Sequence, residues 1–272
     1  MPELREGCIR LARQAGAAIL AIYRQDFDVT AKDDRSPLTA ADLAAHRLIV
    51  AGLTALAPDI PVLSEEGADI PWEVRRSWRR HWLVDPLDGT REFVKKNGEF
   101  TVNIALVEDG EPVLGVVYAP VLDHMVHAER GVGAFLRLPD GCDEPLRTQC
   151  PARAPLRVAA SRSHLDERTA AALARMGEVQ TFGLGSSLKF CRIAEGLADV
   201  YPRFGPTSEW DTAAAQCVLE AAGGAVLALD GSPLRYNRKA SLLNPDFIAL
   251  GDPSLPWREW VVGSGEPAAG SR

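Results

Sequence analysis

The chain has 272 residues, 46% of them hydrophobic and 25% charged, with 30 basic against 37 acidic side chains and a formal charge of -7. Such a length suggests two lobes or one large α/β unit, at roughly one domain per 150 residues. The acidic balance excludes a broad basic surface for a nucleic-acid polymer, so an anionic substrate needs locally bound cations.

Leu4, Cys8, Leu11, Ala15, Ala18, Ile19 and Ile22 recur at helical spacing and predict an amphipathic helix over about residues 3 to 24. Arg5, Arg10, Arg13 and Arg24 interrupt any signal-peptide core, and no apolar run approaches the roughly 18 residues of an integral membrane segment. The expected location is the cytoplasm, with peripheral attachment to the cytoplasmic face of the inner membrane left open. After a polar loop with Lys32, Asp33, Asp34, Arg35 and Ser36, and the break at Pro37, Thr39 reads as the N-cap of a second helix with Asp42 in its first turn.

Short β-rich runs follow at Ile60 to Leu63, His81 to Val84, Thr101 to Val107, Val113 to Tyr118 and Met125 to Ala128, with Asp109-Gly110 as a turn signal, and predict an antiparallel sheet. From Arg147 to Pro155 the chain is polar and marked by proline. Strand-like and helical runs then alternate: Leu156 to Ala160, Leu165 to Met176, Val179 to Phe182, Leu188 to Leu197, Asp199 to Tyr201, Thr212 to Ala222 and Ala225 to Leu229. The expected division is a metal-binding lobe over 1–154, an α/β lobe over 155–256 and a flexible tail over 257–272. Cys8, Cys142, Cys150, Cys191 and Cys217 form no C-x-x-C pair, and their odd number suits reduced thiols.

The chemistry lies in a few acidic stretches. Ser64-Glu65-Glu66 ends one β-run and Asp85-Pro86-Leu87-Asp88-Gly89-Thr90 ends another. Aspartates three apart across a proline-forced turn reach one point, Gly89 lets backbone approach a ligand, and the Leu87 carbonyl offers a neutral oxygen. Hard cations such as Mg²⁺ take such oxygens. Alone, Asp88-Gly89 reads equally as a turn, Glu65-Glu66 as a solvated pair, and Asp42 and Asp211 as helix N-caps. Gathered unpaired, these acids repel one another, and a metal cluster resolves that repulsion. Gly185, Ser186, Ser187 and Lys189 precede a helix and form either an anion site of free N–H groups or a simple cap. The five histidines fit no zinc spacing.

With these residues the sequence resembles the inositol monophosphatase superfamily, which has an acidic pair after a strand, D-P-(L/I)-D-G-T and W-D-x-(A/T)-A as signatures. Longer strings, Asp34-x-Ser36-Pro37-x-Thr39-x-Ala41-Asp42, Leu63 to Glu66, Trp82 to Thr90, Asn97 to Ala105, Gly185 to Cys191 and Tyr201 to Thr207, are similar to its 3'(2'),5'-bisphosphate nucleotidase branch. Arg91 stands where lysine is expected, and Ala214-Ala215-Gln216 where glycine is common.

The resemblance implies an αβαβα layered sandwich and hydrolysis of adenosine 3',5'-bisphosphate to AMP and phosphate, with the sulfated nucleotide as a further substrate, recycling a by-product of sulfate assimilation. It also implies two Mg²⁺ ions, one on Glu65, Asp85 and the Leu87 carbonyl and one on Asp85, Asp88 and Asp211. Thr90 and Glu65 orient water, and Asp42 supports the ions or touches a third. Inhibition by lithium follows from the same likeness. Attack is direct, with no covalent phosphoenzyme. Glu65, Leu87, Asp88, Gly89, Thr90, Gly185, Ser186, Ser187, Lys189, Arg203 and Asp211 are the expected substrate contacts. Rival readings keep the metals with inositol monophosphate or a sugar bisphosphate, or make the chain a silent sensor.

Overall fold

The computed structural model describes residues 1–25, 37–161 and 167–261. The polar loop at 32–36, the expected helix start at Leu165 and the tail beyond 261 lie outside them. Helix α1, Pro2–Tyr23, begins on a proline whose missing N–H no helical partner needs, and it buries Cys8, Ala12, Ala15 and Ile19. Helix α2, Pro37–Leu56, buries Ala41, Ala45, Ile49 and Leu53. Because it begins by Pro37, Thr39 is inside the helix rather than its cap, and Asp42 sits in the second turn, not the first. Thr39–Leu56 is an 18-residue stretch of mean hydropathy 1.2, so one apolar run does reach the length expected only of a membrane span. Its buried face packs into the core.

The first sheet takes its strands in chain order: β1 Val62–Ser64, β2 Arg80–Asp88, β3 Thr101–Glu108, β4 Glu111–Ala119, β5 His124–Glu129, β6 Gly133–Arg137 and β7 Asp143–Leu146. A 3-10 turn at Glu65–Gly67 and helix α3, Trp72–Arg75, separate β1 from β2, and helix α4, Thr90–Val94, follows β2. All neighbours are antiparallel except β1 and β2, which run parallel. The fully antiparallel sheet expected from sequence is corrected there, since the long connection through α3 lets β2 return in the direction of β1. Asp109 and Gly110 both take positive φ, the geometry of a tight hairpin.

The second sheet has the order β11-β12-β10-β8-β9. Its strands are β8 Leu156–Ser161, β9 Val179–Leu184, β10 Val200–Arg203, β11 Ala225–Ala228 and β12 Phe247–Leu250. Between them stand α5 Glu167–Arg175, α6 Leu188–Ala194 and α7 Glu209–Ala221, and α8 Trp257–Trp260 closes the described chain. Trp257, Trp260 and Val261 are buried, so residues 257–261 are packed structure rather than the start of a tail.

Alternation along the strands builds five layers. On β2 and β3, Trp82, Val84, Ile104 and Leu106 face α1 and α2, whereas Leu83, Ala105 and Val107 face α6 and α7. The inner face of the second sheet, with Tyr201, Val226 and Phe247, closes on the same two helices, and its outer face packs Val158, Val200 and Ile248 against α5 and α8. This is the αβαβα sandwich. Each fully buried side chain of this size stabilises it by about 1.5–3 kcal/mol. The middle helix layer lies close to the first sheet because Gly115 has no side chain: a Cβ there would fall 2.3 Å from the Ala214 carbonyl oxygen. The alanines 213 to 215 of α7 keep the approach short.

Candidate active site

The D-P-L-D motif ends β2, as expected, and both of its aspartates lie within the strand, Asp88 as its last residue. Residues three apart on a regular strand point to opposite faces. The register with β3 shifts between them, Asp85 opposing Asn103 and Asp88 opposing Thr101, so three steps on β2 span two on β3. This bulge turns both carboxylates toward α6 and α7, and leaves Pro86 and Leu87 without a partner in the β3 register. The Leu87 carbonyl is therefore off the regular ladder, while its side chain is buried against the α1–α2 layer. Gly89 then turns with φ of 95°, the left-handed conformation that favours glycine, and Thr90 opens α4.

Asp211 lies in the first turn of α7, where its Oδ2 accepts the Ser208 N–H at 2.8 Å. It is the third helical residue of a capping box, not the N-cap, which is Ser208. Asp85 Oδ1 likewise accepts the Leu87 N–H at 3.0 Å, and Asp88 Oδ2 accepts the Ser187 N–H at 2.8 Å. One oxygen of each carboxylate is thus fixed by a backbone amide. Glu65 enters from the turn after β1 and hydrogen-bonds to the Asp85 carboxyl, while Asp42 reaches Glu66 from α2.

Burial first, and the neighbouring acids next, raise the affinity of these groups for protons. Asp42 is pushed up to about 8 by burial and then by Glu66 and Glu65, and Asp211 to about 8 by burial and then by Asp88. Asp85, only 2% exposed, is held well above the carboxylate range by burial and by the charges of Asp88, Glu65, Asp211 and Asp42. Burial raises Asp88 too, against the pull of Lys189 and the Ser187 and Asn103 hydrogen bonds. Among the described residues no three His, Cys, Asp or Glu side chains are drawn around one point; the acids meet in pairs. Two carboxyl–carboxyl contacts need a shared proton or a cation, and Asp42 Oδ1 is buried with no hydrogen-bond partner. An all-oxygen, anionic donor set of this kind fits Mg²⁺.

A cleft of about 670 Å³ opens from Asp88, Gly89, Thr90 and Asp211 toward Gly185, Ser186, Lys189, Tyr201, Arg203 and Phe204. Of the two readings that the sequence allowed for Gly185 to Lys189, an anion site of free N–H groups or a simple cap, the first loses two of its donors to carboxylates. The Gly185 N–H is taken by Glu99 Oε2 at 2.9 Å and the Ser187 N–H by Asp88. Helix α6 has only seven residues. Lys189 Nζ donates to the Ser186 carbonyl at 2.6 Å and the Leu184 carbonyl at 3.2 Å, and lies 5.1 Å from the Tyr201 ring centre. Burial pushes its ammonium down to about 8, opposed by the charge of Asp88. Ser186 Oγ and Arg203 Nε are buried without partners beside the cleft. Arg203 donates to the Pro206 carbonyl at 3.1 Å.

Sequence reasoning did not single out Asn103, whose Nδ2 donates to Ser187 Oγ at 3.0 Å and reaches Asp88 Oδ2 at 3.4 Å. Its signal was a polar residue inside the apolar β3 run. Among the described histidines, His46 meets Ser64, His124 meets Glu195 and His127 meets Asp143.

The model of the inositol monophosphatase family matches residues 1–252. The chain is 54% identical over 249 residues to the 3'(2'),5'-bisphosphate nucleotidase CysQ of Shigella flexneri, covering 88% of this chain and 96% of that one. Over 245 residues it is 53% identical to the protein of the same name from Salmonella typhimurium, covering 89% and 97%. Among solved structures, CysQ from Bacteroides thetaiotaomicron superposes with a TM-score of 0.83 at 45% identity, covering 90% of this chain and 96% of that one. An inositol monophosphatase from Zymomonas mobilis gives 0.78 at 26% identity, covering 94% and 96%.

Proposed function

The chain belongs to the inositol monophosphatase family, and from that premise we propose that it is a Mg²⁺-dependent 3'(2'),5'-bisphosphate nucleotidase. It removes the 3'-phosphate of adenosine 3',5'-bisphosphate in the cytoplasm, leaving AMP and phosphate, and acts likewise on the sulfated nucleotide. The observation that carries the reading is the cluster of buried carboxylates, of which Asp88 and Asp211 line a cleft that also holds Lys189 and Arg203.

Glu65, Asp85 and the Leu87 carbonyl would hold one ion, and Asp85, Asp88 and Asp211 a second, with Asp42 behind them or at a third. When bound, Mg²⁺ supplies the Lewis acidity that activates water and neutralises phosphoryl charge. Glu65 and the Thr90 hydroxyl orient the water for in-line attack on phosphorus. Gly89 gives the phosphate room beside backbone, since no side chain stands there. Ser186 Oγ, Arg203 and the Lys189 charge face the second phosphate, and such remote contacts align the reacting one.

Phosphate release from adenosine 3',5'-bisphosphate and from inositol 1-phosphate, each in Mg²⁺ and in EDTA, tests this. The expected kcat/KM ratio is at least roughly 10²-fold in favour of the nucleotide, about 2.7 kcal/mol, which one or two charge-assisted contacts supply. Similar values would leave a general phosphatase, and no release in Mg²⁺ would leave no enzyme.

A further inference from the structure

Ser187 sits where the two sheets' elements meet, 1% exposed and with both of its donors committed. Its N–H donates to Asp88 Oδ2 at 2.8 Å, and its Oγ donates to the Asp211 carbonyl at 2.8 Å. The same Oγ accepts Asn103 Nδ2 at 3.0 Å, and that amide also reaches Asp88 Oδ2 at 3.4 Å. One residue of the α6 approach therefore touches a carboxylate on β2, a side chain on β3 and the first turn of α7.

From this geometry we infer that Ser187 is a positioning residue, a pin that fixes the distance between Asp88 and Asp211 and so shapes the site between them before any cation arrives. It is not the substrate donor that its place in Gly185-Ser186-Ser187 suggested. The need for a pin is geometric. Asp88 lies on β2 and Asp211 in the first turn of α7, so the separation of the two carboxylates is set by the contacts that join those elements. A hydroxyl suits the task because it donates and accepts at once, joining Asn103 to the Asp211 carbonyl, and the backbone amide is left free to hold Asp88. Alanine keeps the amide contact and loses both others.

The inference rests on the metal-dependent reading, and its test separates the two. Mn²⁺ binding is measured without substrate, by the loss of the free-ion EPR signal, for wild type, Ser187→Ala, Ser187→Thr, Asn103→Ala and the double alanine variant. Residues that orient metal ligands change metal affinity by roughly 10- to 100-fold when removed. Ser187→Ala is expected to weaken one class of Mn²⁺ sites about 10-fold, Ser187→Thr to recover most of that, and the double variant to fall short of the product of the two singles. The Mg²⁺ concentration giving half-maximal activity should rise in step, with kcat largely restored at saturation. A residue needed only for packing would lower the melting temperature of the metal-free protein and leave Mn²⁺ affinity alone; that result overturns the inference, as do independent effects of Ser187 and Asn103. Wild type that binds no Mn²⁺ removes the metal-dependent reading itself, and the inference with it.

Discussion

Substituting Asp88→Asn separates charge from shape in the acidic cluster. The new amide oxygen still accepts the Ser187 N–H that Asp88 takes at 2.8 Å, so the lobes stay joined. The other arm changes from an anionic oxygen to an NH₂ group, which donates and cannot ligate a cation. Turnover should fall by at least roughly 10³, about 4 kcal/mol of barrier. Stability should move the other way. In metal-free protein the Asp88 charge raises the proton affinity of Asp85, Asp211 and Glu65, and removing it relieves a repulsion on the order of 1 kcal/mol, the scale of one pKa unit. That is a gain of roughly 2–4 °C in melting temperature for a protein of this size. Asp88→Ala, by contrast, strands the Ser187 amide and should cost about 1–3 kcal/mol. Phosphate release at saturating Mg²⁺ and thermal melts in EDTA read the two effects. Near-wild-type turnover would refute the metal assignment, and an asparagine variant as unstable in EDTA as the alanine one would refute the account of the cluster.

Two further outcomes follow from groups away from the metal ligands. Burial pushes the His81 imidazole down to about 4 from an ordinary 6.5, and both ring nitrogens lack hydrogen-bond partners. The unfolded chain takes its proton below about pH 6.5 and the folded chain only near pH 4, so stability present above 6.5 is lost through that window at up to about 1.4 kcal/mol per pH unit. Urea unfolding at pH 7 and pH 5 should show a smaller loss for His81→Phe than for wild type, and equal losses would exclude His81 as the cause. Arg203→Ala should cut the preference for adenosine 3',5'-bisphosphate over inositol 1-phosphate by roughly 10-fold, one charge-assisted contact, with the melting temperature unchanged. An undiminished preference places the second phosphate elsewhere. Lys189→Ala is the poorer probe, because Lys189 also holds the Ser186 and Leu184 carbonyls.

Elements with strong periodicity were legible in the sequence: α1, the apolar centres of β2 to β5, and the alternation after residue 155. What escaped was set by partners far along the chain. β6, β7 and β12 are short and depend on neighbours for their pairing, and the parallel β1–β2 pair is a property of the connection, not of either strand. At the site, acid identity was legible because so many carboxylates beside apolar runs demand a reason. Their mutual geometry was not, since Pro86 suggests a turn and the bulge that aligns Asp85 with Asp88 exists only against β3. The Gly185-Ser186-Ser187 stretch left two readings open for the opposite reason: nothing local shows that acids elsewhere in the chain, Glu99 and Asp88, claim two of its amides.

That use of amides distinguishes Glu65 from the three aspartates expected to share the cations with it. Asp85, Asp88 and Asp211 each have one oxygen fixed by an N–H, from Leu87, Ser187 and Ser208. Glu65 leans instead on Asp85, one carboxyl against another. Such a pair is comfortable while it shares a proton and repels once it loses it. Burial and then the charges of Asp88 and Glu66 raise the Glu65 proton affinity, with the Asp85 hydrogen bond opposing them. The folded pKa lies above the unfolded one, so the stability Glu65 lends is greatest at low pH and drains away as pH rises through the folded value. Glu65→Gln installs a permanent N–H donor toward Asp85. Metal-free protein should then melt higher than wild type at pH 8, by the few degrees that about 1 kcal/mol represents, and the difference should shrink at pH 5. In Mg²⁺ the order should reverse, because wild type gains stabilisation from an ion that the variant has lost a ligand to hold. Melts at both pH values with and without Mg²⁺ decide it. A variant that keeps the full Mg²⁺ shift would show that Glu65 holds no cation, and one that melts lower at pH 8 in EDTA would show that its contact with Asp85 is not the strained one.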